Sequence, residues 1–260
     1  MYAHHEESIA NLVRHFEDDP EPRAVLLAGS IAHGFENPES DVDLLLIVTD
    51  EDYRARAAEK RLNFFDVECC TYEGGYAEGK YLSERFIEEV AEKGSEPARF
   101  ALHDASVLVA REDYSDCLQR IGRYPAEGKD DRISRYFAQV EAWHWYATEA
   151  IRLENDYLLG TAISKLALFG GRLILTDNEL FYPYHKWFVR VLESAPDKPD
   201  AFMEAFHALH RAPTLESVTR FRDLCVFHKN WSTPEGGWPV QFLFDSELNW
   251  LGGDPPVDDL

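Results

Sequence analysis

Two carboxylates at a spacing of two, Asp41 and Asp43, stand where a polar loop gives way to the apolar run 44–48. At the mouth of a buried strand such a pair is costly unless a cation lies between its members. Eleven residues before Asp41 stands Ser30, preceded by Gly29, at the end of an earlier apolar run over 24–28. Gly29 lets the backbone turn tightly and approach a ligand closely. Ser30, opening a helical turn, offers a hydroxyl and neighbouring N–H groups to an anion. Strand side chains alternate between faces, so Asp41 and Asp43 share one. Two carboxylates on one face beside an anion-binding turn suit Mg²⁺ bridging to phosphates. Gly-Ser followed at this distance by Asp-x-Asp is far more specific than either half alone.

The elements that must position these residues can be read in order. Ile9, Leu12, Val13 and Phe16 fall at helical spacing over 2–17, and Asp18-Asp19-Pro20 stops the helix. Residues 23–28 read as a short strand, 31–35 as a helical turn, and 41–49 as a strand apolar enough to be buried on both faces. A charged surface helix follows over 51–62, acidic at its start and basic at its end. Residues 64–72 and 76–82 form a hairpin turning at Glu73-Gly74-Gly75. Ser83 caps a helix that runs to Lys93 with Phe86, Ile87, Val90 and Ala91 inward and Gly94 as its stop. Residues 105–110 are one more strand.

Beyond about residue 125 strand signals nearly vanish. Residues 131–155 carry Ile133, Phe137, Val140, His144, Ala147 and Ile151 on one helical face. Helices are expected over 160–176, 184–194, 199–211 and 214–230, with Pro183, Pro196, Pro199 and Pro213 at the breaks. The tail from Thr233, rich in Gly and Pro, reads as irregular. The expected organisation is α+β: a small mixed-sheet domain over 1–125, then an α-helical bundle over 126–260.

Gly29-Ser30 with Ser40-Asp41-Val42-Asp43, between two apolar strands, resembles the signature of the DNA polymerase β-like nucleotidyltransferase superfamily over about residues 22–110. Total length and the helical second half look most like antibiotic nucleotidyltransferases, in which a helical domain after the palm helps to bind substrate. The resemblance implies a nucleotide-binding role for Gly29, Ser30 and Ser40, metal ligation by Asp41 and Asp43, and a third carboxylate on a neighbouring strand. Asp66, Glu68 and Glu78 compete for that place. Relatives carry the acid on the second hairpin strand, before a helix opening with Ser or a charged residue, and the run from Glu78 to Ser83 fits. Glu78 is therefore favoured, although Gly79 replaces the usual apolar neighbour. Three carboxylates at ligand range repel, and two divalent ions resolve the repulsion. One ion would activate the acceptor hydroxyl and the other would hold the triphosphate of ATP or another NTP.

In the helical half the run 180–187, LFYPYHKW, gathers aromatics around Lys186. It could set Lys186 near phosphates and Tyr184 or His185 near a base or sugar; against that, it could be a helix start with core aromatics and an exposed lysine. Lys165, His33 and Lys80 are weaker phosphate candidates. Trp143-His144-Trp145-Tyr146 tempts as a stacking platform, but consecutive helical residues point in different directions, so core packing is the better reading. His4-His5 and Asp18-Asp19 read as solvated surface.

The bulk properties narrow the function. The chain has 260 residues, 45% apolar and 28% charged, with a net charge of −22. That charge opposes binding of long nucleic acid, which rests on Lys and Arg neutralising phosphates, and is compatible with a cationic small substrate. No apolar run approaches the roughly 18 residues that span a bilayer, and the polar N-terminus is no secretory signal. The four cysteines, Cys69, Cys70, Cys117 and Cys225, lack zinc-ligand spacing and read as free thiols of a cytoplasmic protein. The expected activity is transfer of a nucleoside monophosphate group to a hydroxyl of a small, aminoglycoside-like molecule. The alternatives are nucleotidylylation of a protein, as by antitoxin-type enzymes, and nucleotide binding without turnover.

Overall fold

The computed structural model describes residues 1–253 and 257–259, and the chain divides into two compact units, Met1–Arg123 and Tyr124–Leu260. In the first unit α1 (Ala3–Asp18) leads into β1 (Ala24–Leu27), the single turn α2 (Gly29–Ala32), β2 (Val42–Val48) and α3 (Asp50–Ala58). Next come β3 (Asn63–Asp66), β4 (Ala77–Ser83), α4 (Glu84–Lys93), α5 (Glu96–His103), β5 (Ser106–Ala110) and α6 (Ser115–Gly122). The sheet order is β3-β4-β2-β1-β5, with β2 parallel to β4 and the other pairs antiparallel. This is the mixed sheet of the expected α+β class.

Alternation sorts the sheet's side chains into two cores. On one face Val25, Leu27, Val42, Leu44 and Leu46 pack under Leu12 and Phe16 of α1. On the other, Ala24, Leu26 and Ile47 meet Ile87 of α4, Leu102 of α5 and Ile121 of α6, with Leu45 and Leu82 joining them. Burying each Leu or Ile here is worth about 1.5–3 kcal/mol. Asp43, two residues before Leu45 on the second face, keeps partial exposure.

Several expectations need correcting. The β3–β4 pair is not a tight hairpin: β3 ends at Asp66, whose Oδ1 accepts the Cys69 N–H at 2.7 Å and turns the chain out of the sheet. Ser83 does cap α4, accepting the Phe86 N–H at 3.1 Å, but Phe86 is 40% exposed while Ile87 and Val90 are buried. Helices α5 and α6 are short and lack the long periodic stretch that would announce them.

The second unit is built on α7 (Lys129–Arg152) and α8 (Asp156–Asp177), followed by α9 (Phe188–Ser194), α10 (Phe202–Arg211) and α11 (Leu215–Val226). Helix α7 buries Ile133, Tyr136, Gln139, Val140 and Ala147, more than one face, because neighbours surround it. Helix α8 is long and apolar enough by length and composition to cross a bilayer, contrary to the expectation that no segment would be; 67% of its apolar window is buried, as in a core helix. Gly170 and Gly171 permit that packing: a Cβ would lie 2.6 Å from Phe221 in the first case and 2.2 Å from Phe188 in the second. The fully buried Arg172 guanidinium lies over the rings of Tyr136 and Tyr182, at 4.5 and 4.7 Å, and donates to the Val257 and Asp258 carbonyls.

The tail is not irregular as expected. It forms α12 (Trp238–Phe242), a π-helical turn Leu243–Glu247, α13 (Asn249–Gly252) and a 3₁₀ turn Val257–Asp259. The expectation for Asp254, Pro255, Pro256 and Leu260 lies outside the described residues. Phe242 and Val257 anchor the segment as buried side chains, so tertiary burial overrides the Gly and Pro signals. Of the aromatic run, Trp143 and Tyr146 pack together and against Phe242, while Trp145 is 49% exposed.

Candidate active site

The register of β2 against β4 assembles the acidic cluster. Asp43 pairs directly with Glu78 across the parallel ladder, so their side chains leave the same face, and Asp41 joins them by alternation. Carboxylate oxygens of Asp41, Asp43 and Glu78 all lie within 4.8 Å of one another, the one such group of potential metal ligands among the described residues. An all-oxygen donor set suits a hard divalent cation such as Mg²⁺. The two other carboxylates considered are not brought in. Asp66 pairs with Ala77, which faces the α1 core, and its carboxylate is engaged by the Cys69 N–H. Glu68 is exposed in the bend that follows.

Gly79 has a geometric reason. It sits opposite Leu44, where a Cβ would come within 2.8 Å of both the Leu44 carbonyl oxygen and Leu46 Cδ1. An apolar side chain there would push β4 away from β2.

The Gly29-Ser30 turn lies against the cluster. Gly29 has φ +62°, and a Cβ on it would fall 1.7 Å from Asp43 Oδ2. The Asp43 carboxylate therefore occupies space that only glycine leaves, and only glycine adopts that backbone without strain. The Ala28 N–H donates to the Asp43 carbonyl at 2.9 Å, tying the turn to β2. Ser30 is 5% exposed and its Oγ is buried without a hydrogen-bond partner, a cost left open unless a phosphate oxygen or similar group meets it.

The loop carrying Asp41 is held from outside. The Ser40 carbonyl accepts from Tyr72 Oη at 2.6 Å and from His5 Nε2 at 3.0 Å, which fixes the proton of the His5 ring on Nε2. His5 is fully buried, correcting its reading as surface, and burial lowers its pKa. Burial and the nearby Cys70 and Asp41 push the Tyr72 phenol up to about 12. Ser40 Oγ accepts the Asn37 N–H at 2.9 Å, so this hydroxyl shapes the loop.

Tyr76 was missed by sequence reasoning. Its phenol hydrogen bonds to Asp41, and its pKa is raised by Asp41 first, with smaller effects from Glu78 and Asp43. The available signal was its place two residues before Glu78, the spacing that shares a strand face. The Tyr76 ring also packs, tilted, against Phe65 with centroids 5.5 Å apart, and Phe65, the β3 partner of Glu78, is 66% exposed.

The remaining candidates make contacts of their own. His33 bonds Asp104 through Nδ1 at 2.9 Å and stacks on Phe100 at 4.3 Å. Lys80 is exposed on the same β4 face as Glu78. Lys186 belongs to the other unit, exposed, with Nζ 5.1 Å from the Trp187 ring centroid. In that unit Tyr184 has φ +63° and is 52% exposed, and His185 Nδ1 meets Tyr182 Oη at 3.1 Å. Lys165 is paired with Asp258.

Comparison with known proteins agrees with the site. The profile of the family described as nucleotidyltransferase domain matches residues 9–98, which contain the Gly29-Ser30 turn and all three clustered carboxylates. A solved structure, a nucleotidyltransferase-like protein from Exiguobacterium sibiricum 255-15, is similar with a TM-score of 0.46 and 13% identity, over 86% of this chain and 72% of that one. No curated protein matches the chain. Residues 9–98 thus carry a nucleotidyltransferase domain of the DNA polymerase β-like superfamily, and the enzyme assignment rests on that domain.

Proposed function

We propose that the enzyme transfers a nucleoside monophosphate group, AMP from ATP in the leading case, to a hydroxyl of a small molecule in a Mg²⁺-dependent reaction that releases pyrophosphate. The observation that supports this most directly is the Asp41, Asp43 and Glu78 cluster beside an anion-binding turn with an unsatisfied Ser30 hydroxyl. Two divalent ions, when bound, would lower the pKa of the acceptor hydroxyl and neutralise the charge developing on pyrophosphate. Asp43 from β2, Asp41 from the loop just before it and Glu78 from β4 would hold the metal. As the acceptor oxygen bonds to the α-phosphorus, the bond from that phosphorus to the bridging oxygen of pyrophosphate breaks, and Glu78 takes the hydroxyl proton. The Gly29-Ser30 turn donates to a phosphate oxygen, and Ser40 keeps the loop in the shape that presents Asp41.

An aminoglycoside-like acceptor agrees with the net charge of −22, which raises the local concentration of cations. In this reading Tyr124–Leu260 is the substrate-binding domain. The four free cysteines favour a reducing, cytoplasmic setting. Binding without turnover requires an incomplete carboxylate set, and Glu78 beside Asp43 counts against it. Protein nucleotidylylation has no specific observation in its favour.

The test is incubation with Mg²⁺, α-labelled ATP and a panel of aminoglycosides. Pyrophosphate release with label on one small acceptor is the expected result. Label on a protein, or nucleotide binding with no pyrophosphate release for any acceptor, would overturn the acceptor assignment or the turnover respectively.

A further inference from the structure

The helical unit holds a cavity of about 560 Å³ that the nucleotidyl-transfer reading does not use. One wall is aromatic. Trp143 and Tyr146, three apart on α7, have ring centroids 5.2 Å apart, and Phe242 stands 5.9 and 5.8 Å from the two of them. Carboxylates line the cavity as well: Asp245 and Glu247 from the π-helical turn, and Asp258. π-helical turns are rare and recur at functional sites. This one is held by a chain of half-buried contacts: Trp143 Nε1 donates to Gln139 Oε1, and Gln139 Nε2 donates to Ser246 Oγ.

The charges do not balance. Asp245 is 5% exposed and committed to Arg135 at 2.8 Å, with Gln241 donating to its other oxygen. Asp258 is committed to Lys165. Glu247 also lines the cavity and forms no ion pair among the described residues. Three carboxylates therefore face two cations. Electron-rich ring faces attract a cation most strongly where water is excluded, and a carboxylate in the same lining adds to that attraction.

We infer that this cavity is a binding site for a monovalent organic ammonium ion, its apolar groups against Trp143, Tyr146 and Phe242 and its charge balanced by Glu247. The site is complete within the helical unit and needs no nucleotide or metal, so its test is separate from that of the transfer reaction.

The experiment is calorimetric titration of the full chain with choline, with benzyltrimethylammonium, and with dimethylbutanol, the uncharged carbon isostere of choline, all without nucleotide. Saturable binding of the two cations is expected, with the alcohol at least about tenfold weaker. Cation–π magnitudes set the expected loss for Trp143→Leu at about threefold to thirtyfold. Glu247→Gln, an exposed change that leaves the core intact, is expected to weaken the cations severalfold and leave the alcohol unchanged. Equal binding of choline and its isostere, no saturable cation binding, or unchanged cation affinity in Glu247→Gln would overturn the assignment.

Discussion

Gly29→Ala tests how closely the anion turn and the acidic cluster depend on each other. An added Cβ would stand 1.7 Å from Asp43 Oδ2 and 2.5 Å from Asp43 Cβ, whereas real Cβ contacts stay above 3.0 Å. The Asp43 carboxylate must then retreat by at least about 1.3 Å, or the turn must open. A misplacement of about 1 Å at a reacting centre costs on the order of a hundredfold in rate, so turnover is expected to fall by about that factor or more. Stability falls too. The left-handed backbone at φ +62° costs a non-glycine residue about 1–2 kcal/mol, and the steric conflict adds about 1–3 kcal/mol. Denaturant melts, Mn²⁺ titration followed by paramagnetic resonance, and pyrophosphate release measure the three effects. Repeating Gly29→Ala in an Asp43→Gly background separates the stability terms, because the conflict disappears and only the backbone cost remains. Wild-type Mn²⁺ affinity and turnover in Gly29→Ala would refute the reasoning.

Other outcomes follow from the surroundings of the cluster. His5 is buried with a lowered pKa, so the stability it supports is full above its ordinary value of 6.5 and is lost as pH falls through the lowered value; melts from pH 7.5 down to 5 should weaken in the wild type and stay flatter in His5→Gln. The Tyr76 phenol is held up by Asp41, Glu78 and Asp43, and a bound divalent cation cancels that field, so its ultraviolet titration, isolated as the difference from Tyr76→Phe, should move down when Mg²⁺ is added. Ser83→Ala removes the cap on the Phe86 N–H and should cost about 1 kcal/mol in a denaturant melt.

What the sequence made legible depended on the range of each interaction. Asp41 and Asp43 were readable because strand alternation is local, and Gly29 because a turn before a helical residue is local. Glu78 could be ranked above Asp66 only through resemblance; the physical reason is register, since Asp66 stands opposite Ala77 on the far face and Glu78 opposite Asp43 on the near one. His5 and Tyr72 reach the Ser40 carbonyl from 35 and 32 residues away, and no spacing rule connects them. The tail failed for a related reason. Trp238-Pro239 and Gly236-Gly237 signal irregular chain, but burial of Phe242 and Val257 and the carbonyl contacts of Arg172 order what local propensity would leave loose.

The central claim is that Asp41, Asp43 and Glu78 together hold the divalent metal. Its most direct test is Mn²⁺ affinity, measured by paramagnetic resonance with a non-hydrolysable ATP analogue present, in five single variants. Asp41→Asn, Asp43→Asn and Glu78→Gln should each bind at least about tenfold more weakly than wild type, the loss expected for a metal ligand or its orienting partner, while Asp66→Asn and Glu68→Gln bind like wild type. Wild-type affinity in Glu78→Gln, or a loss in Asp66→Asn equal to that in Asp43→Asn, would contradict the account.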